Sequence, residues 1–163
     1  MIHKRLGCIT IFFLLLVFPV SASMVSFLLV ETGINEDVSS GEYASLWEGG
    51  LMEAFFDAGH IVTNGPIARV ERKPERDFTG MLADDLYDAV NGGVEFIILG
   101  YLEFRVQGQR AVPVGMTLKL YNSASRQLMY EQNFPAGGGN NLDEEYQIAI
   151  NAGRVMTSQI SRR

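Results

Sequence analysis

The segment Val94-Glu95-Phe96-Ile97-Ile98-Leu99-Gly100-Tyr101-Leu102-Glu103-Phe104 constrains this chain more than any other. Phe96 to Leu99 is a continuous apolar run with no side left for water, so a strand here must be covered on both faces. After Gly100 the pattern loosens into alternation, as expected where a strand emerges from beneath a helix. A strand covered on both faces points to an α/β (α+β) fold, of two or three layers, built on a mixed sheet.

The flanking sequence supplies those layers. Val25 to Val30 reads as a first strand. Ser39 with Glu42 forms a capping box, and Tyr43, Leu46, Trp47, Leu51, Phe55 and Ala58 recur at helical spacing behind it. Gly49-Gly50 inside this helix implies a close approach of helix to sheet, or a kink, and Gly59 fits its C-terminal cap. His60 to Asn64 is a second strand, followed by a loop from Ile67 to Asp77. Phe78, Leu82, Leu86 and Val90 mark a second helix, with Asp77 as its cap and Asn91-Gly92-Gly93 as its stop. Beyond the central strand, Val112, Val114, Met116, Leu118 and Leu120 alternate with smaller or polar residues, the pattern of a half-buried strand. Gln127 to Phe134 makes a final strand, and Pro135 to Asn141 a flexible linker. Asn141 and Glu144 then open a helix whose buried face holds Tyr146, Ala149, Ile150, Gly153, Met156 and Ile160. Acidic residues in its first turn and Arg162-Arg163 at its end suit the helix dipole. The order β-α-β-α-β-β-β-α predicts a five-stranded mixed sheet, order 2-1-3-4-5, with parallel then antiparallel pairing.

Lys4 and Arg5, an apolar run from Ile9 to Val20 and the small residues Ser21-Ala22 form the three parts of a secretory leader. The expected organisation is a signal peptide over residues 1–22 and a single α/β domain over residues 23–163. Cleavage would leave no transmembrane segment and, with Cys8 gone, no thiol for a disulfide, a metal or a nucleophile. The formal net charge is −6 for the whole chain and more acidic still without Lys4 and Arg5, which disfavours nucleic acid as a partner.

Two places invite a functional reading. The cleft at the carboxyl ends of the first and central strands would gather Glu31, Thr32, Asn35, Glu36, Asp37 and Tyr101, where open α/β sheets bind ligands. Such oxygens suit a small ligand or a hard divalent cation, although the spacing matches no calcium loop and a solvated acidic loop is the plainer reading. The second place is the loop Arg69 to Asp77, whose Arg69, Arg72, Lys73 and Arg76 make it the first choice for a docking site, with Glu71, Glu75 and Asp77 nearly cancelling the charge. His60, left alone by leader removal, lacks a Gly-x-Ser-x-Gly partner and reads as a hydrogen-bonded structural histidine. Gly137-Gly138-Gly139 lacks the Lys-Ser/Thr of a phosphate cradle. No catalytic residue, metal set or cofactor motif emerges.

The strand ending at Glu31-Thr32-Gly33, the helix Leu46–Phe56 before Ile61–Asn64, and the segment Ala89 to Gly100 together carry a family likeness. It continues through Thr117 to Tyr121 and Leu128 to Tyr130. This arrangement of elements and glycines resembles the periplasmic α/β domain of the CsgG-type (curli-secretion) and LpoB-type (penicillin-binding-protein activator) lipoproteins. The resemblance implies a non-catalytic, exported module of envelope assembly or regulation that binds another envelope protein or further copies of itself. The chain departs from that family in lacking a cysteine after the leader and the long insertions of a pore. A ligand- or cation-binding domain is the alternative, and a small hydrolase a more distant one.

Overall fold

The computed structural model describes residues 22–35, 38–108 and 110–160. The leader, apart from Ala22, lies outside them, as do Glu36, Asp37 and Arg162-Arg163. The elements run β1 (Met24–Thr32), α1 (Tyr43–Asp57), β2 (Ile61–Asn64), β3 (Ala68–Val70), α2 (Met81–Asn91), β4 (Phe96–Gln107), β5 (Arg110–Asn122), β6 (Leu128–Phe134) and α3 (Leu142–Ile160).

The strands form one mixed sheet in the order β2-β1-β4-β5-β6. β1 is parallel to β2, β3 and β4, and the last three strands are antiparallel. The apolar run lies at its centre: Ile97, Ile98 and Leu99 are fully buried. Alternation divides the core in two. Phe27, Leu29, Ile98, Leu102, Leu118 and Leu120 belong to the layer of α1 and α3, with Trp47, Leu51, Phe55 and Met156. Leu28, Val30, Ile97, Leu99 and Tyr101 face Leu82 and Leu86 of α2.

Six strands are present among the described residues, where the sequence predicts five. β2 stops at Asn64, and Gly65-Pro66 carries the chain away from the sheet before β3 rejoins the same edge of β1 beside Val30 to Thr32. The edge strand is thus interrupted at a proline, a residue that cannot donate to a ladder. Ala68 to Val70 is too short and too polar at Arg69 to register as a strand by periodicity.

One helix start differs from expectation and another matches it. α1 begins at Tyr43 without a side-chain cap; Ser39 instead accepts the Gly41 amide at 3.2 Å. Asn141 does cap α3, accepting the Glu144 amide at 2.9 Å.

The glycines of α1 serve a helix, not the sheet. A Cβ on Gly50 would lie 2.7 Å from Ala149 Cβ, and one on Gly153 would lie 2.6 Å from Ala54 Cβ. Missing side chains on both partners let α1 and α3 approach until their backbones nearly touch. Gly153→Ala should therefore force these helices apart and lower stability by about 1–3 kcal/mol, measured as a shift in the urea midpoint at unchanged slope.

Candidate functional site

The segment from Glu71 to Gly80 crosses the α2 face of the sheet, and Asp77 ties it down. The Asp77 carboxylate accepts hydrogen bonds from the Tyr101 hydroxyl at 2.8 Å and from Lys119 Nζ at 2.7 Å. It accepts a third from the Tyr121 hydroxyl. β4 and β5 place these three donors on one face, since Tyr101 pairs in register with Thr117, next to Lys119 and Tyr121 along the alternation. Asp77 is therefore not the cap of α2, which begins four residues later at Met81. Phe78, expected on that helix, sits at φ 58° and packs edge-on against Tyr121 with centroids 4.8 Å apart. A bulky residue at positive φ is strained, and its neighbours hold it there.

Burial pushes the Asp77 carboxyl up, but the hydrogen bonds from Lys119, Tyr121 and Tyr101 outweigh it and hold the group below the usual carboxylate range. Burial, then the bond to Asp77, raises both phenols well above the usual tyrosine value. The cluster is thus a carboxylate supplied with three donors, and neither Asp77 nor the two phenols is moved toward neutral pH. It suits a lock better than an acid or base.

The basic loop divides between the two faces. Lys73 Nζ lies 4.9 Å above the Tyr101 ring, donates to Thr117 Oγ1 at 3.4 Å and is 3.9 Å from Glu103. Arg69 points to the other face, toward the start of α1. It contacts Glu31 Oε2 through Nη2 at 2.6 Å and Nε at 2.8 Å, and also donates to Ser40 Oγ at 3.0 Å. Glu31 and Arg69 are register partners in β1 and β3, so this pair accounts for a polar residue inside a buried strand. Arg72 and Arg76 are exposed and make no ion pair with a described residue.

Of the expected cleft, the described residues Glu31, Thr32, Asn35 and Tyr101 do not all share one face of the sheet. Glu31 and Thr32 are buried, and Asn35 is exposed. Tyr101 pairs with Val30, so by alternation Glu31 faces the opposite side of the sheet. Glu31 is already neutralised by Arg69, and among the described residues no group of three or more carboxylate, histidine or cysteine side chains is placed to hold a metal. Arg69→Ala would leave a buried carboxylate unpaired and should cost about 2 kcal/mol, less than a deeply buried pair because Arg69 is partly exposed. Comparing urea midpoints of Arg69→Ala and Arg69→Lys tests this, the lysine variant losing less.

Glu145 carries no site signal in sequence, yet it organises the opposite layer. It is 1% exposed. Its Oε1 accepts Trp47 Nε1 at 2.8 Å and the Gly137 amide at 2.8 Å, and its Oε2 accepts the Gly139 amide at 3.1 Å. The glycine segment expected as a flexible linker is therefore fastened to α3. His60 also departs from expectation: neither ring nitrogen, both buried, has a hydrogen-bond partner of acceptable geometry among the described residues. Burial lowers its pKa, against the raising influence of the nearby Ser23 backbone and Glu95.

On the α2 face at the opposite end from the hairpin joining β4 to β5, a groove of about 500 Å³ runs between α2, the first half of β1 and the length of β2. Met24, Leu28, Ile61 and Val94 line it together with Asp85 and Asp88.

No protein-family model matches the chain, and no curated protein matches it. Solved structures do. A PelC dodecamer from Paraburkholderia phytofirmans is similar over 85% of this chain and 88% of that one, with a TM-score of 0.51 at 10% identity. The LpoB C-terminal domain from Escherichia coli is similar over 69% of this chain and 80% of its own, with a TM-score of 0.43 at 14% identity. Lipoprotein GNA1162 from Neisseria meningitidis is similar over 86% and 99%, with a TM-score of 0.44 at 11% identity. The likeness to PelC establishes the fold. No helix among the described residues is long and apolar enough to cross a membrane.

Proposed function

We propose that this chain is a non-catalytic module of the cell envelope, exported by its leader, that acts by contact within a multi-subunit assembly. One observation supports this above the rest. The polar clusters the fold brings together, around Asp77, Glu31 and Glu145, are each occupied in fastening loops to the sheet or to a helix. Arginines without an ion-pair partner among the described residues, such as Arg72, Arg76, Arg105 and Arg110, lie instead on exposed surface. Chemistry needs poised groups in a cleft, whereas contact needs displayed ones. The shared fold with PelC, a protein crystallised as a dodecamer, agrees with a subunit role.

Within the loop first favoured for docking, Arg72 and Arg76 are the side chains free to meet a partner, since Arg69 and Lys73 are held internally. Isolation of the tagged protein from its native envelope after mild crosslinking, with mass spectrometry of the linked species, tests the reading. Crosslinks to a defined envelope protein, or to the chain itself, support it. Reproducible turnover of a substrate by the pure protein overturns it.

A further inference from the structure

Beyond Glu103 β4 has left β1 behind, and β6 covers β5 only from Met116 to Tyr121. The β4–β5 hairpin therefore continues as a two-stranded ribbon past both of its neighbours. In that ribbon Arg105 stands opposite Val112 and Gln107 opposite Arg110. A bulge at Val114 of β5 breaks the register after Glu103, but β4 itself alternates on from Tyr101, so Arg105 stays on the α2 face and its register partner Val112 shares it, with Gln107 and Arg110 beside them. All four are exposed, and neither arginine has an ion-pair partner among the described residues.

The same face ends very differently at the other pole. α2 carries Asp84, Asp85 and Asp88 with no basic residue, and none of the three is ion-paired with a described residue. One Asp85 carboxylate oxygen is buried without a hydrogen-bond partner. Desolvation, Asp88 and Asp84 all work against its charge, a repulsion that nothing in the described chain relieves. Between α2 and β1 lies the groove floored by Met24, Leu28 and Ile61, the last 52% exposed. From Phe96 to Gln107 β4 spans 12 residues, so the acidic groove and the basic tip are separated by about 36 Å along the strand.

We infer that the groove receives a second copy of this chain: the hairpin end of one copy that carries Arg105, Gln107, Arg110 and Val112 docks against α2 of the next, with Val112 toward the apolar floor and the arginines toward Asp84, Asp85 and Asp88. This inference rests on the reading of the chain as a contact-acting subunit, and it supplies the contact. The patches match in charge and each pairs an apolar centre with an unpaired charged rim. Because they occupy opposite ends of one face, the contact is head-to-tail, and repetition closes a ring or extends a filament.

The test uses the full chain and two variants that reverse charge at exposed positions, R105E/R110E and D84R/D88R. Mass photometry and analytical ultracentrifugation at low salt should show assemblies of more than two copies. Raising salt to roughly 0.5 M should weaken them, since exposed ion pairs are screened. Each variant alone should stay monomeric with native circular dichroism, a loss of association on the order of 10-fold or more. Mixing the two should restore assembly, because the reversed tip of one fits the reversed helix of the other. Wild-type protein that remains monomeric at every salt concentration overturns the inference, as does assembly untouched by either double reversal. Those results leave the contact role standing if crosslinking in the envelope still finds a defined other protein, and only turnover by pure protein removes that role as well.

Discussion

Glu145→Ala should be among the most damaging single changes available to this protein, costing about 3–5 kcal/mol, the range for removing one member of a buried charged network. The carboxylate is the shared acceptor of Trp47 Nε1 and the amides of Gly137 and Gly139. Its removal orphans the buried Trp47 indole N–H and two loop amides at once and leaves a void where the carboxylate sat. Each hydrogen bond to a charged group contributes roughly 1.5–3 kcal/mol, but shared partners do not add, so the lower total is the better expectation. Glu145→Gln keeps the volume and the acceptor oxygen but loses the charge and turns one end into a donor, so it should fall between wild type and alanine. Thermal unfolding by circular dichroism should place the alanine midpoint on the order of 10 °C lower. A midpoint within 2 °C or so of wild type would refute the assignment of Glu145 as the fastening point of the glycine loop.

Asp77→Ala should release the loop on the other face at a cost of about 2–4 kcal/mol, through the loss of bonds to Tyr101, Lys119 and Tyr121. Amide hydrogen exchange in residues 71–80 should accelerate well before that in β4. The pH dependence gives an independent check. Asp77 has a depressed folded-state pKa, so its contribution is complete above the unfolded value of about 3.9 and disappears as pH falls through the folded value. Tyr101 and Tyr121 have raised pKa values, so theirs is complete below the unfolded value of about 10 and is lost as pH rises beyond it. Wild-type stability should therefore fall at both acid and alkaline extremes, and Asp77→Ala should flatten both limbs. Tyr121→Phe should soften the alkaline limb and, by removing one of the three donors to Asp77, part of the acid one. Parallel curves for wild type and Asp77→Ala would remove the cluster as the cause.

What the sequence announced, and what it hid, follows from the range over which each feature is determined. Phe96 to Leu99 declared a strand covered on both sides because four adjacent side chains leave no alternative, and the topology followed from connection lengths. β3 stayed hidden because it is three residues long and exists only where β2 has left the edge of β1 open. Asp77 offered a locally sound helix cap; its real partners are 24, 42 and 44 residues away in β4 and β5. Glu145 looked like an ordinary first-turn acid of α3, and only Trp47, 98 residues earlier, reveals that this turn is buried. The Glu31–Arg69 pair joined two sites that had been read separately, and a carboxylate in a buried strand was the available signal: it required a cation, and β3 delivered one in register.

The single tryptophan of the chain, Trp47, is fully enclosed between α1, α3 and the loop that Glu145 fastens. Its indole is therefore a built-in optical gauge of that layer alone. Emission should shift to the red when α1 and α3 separate from the sheet, and should stay silent when the Asp77 loop on the far side lets go. The two halves of the molecule can thus be watched coming apart separately, with no dye attached.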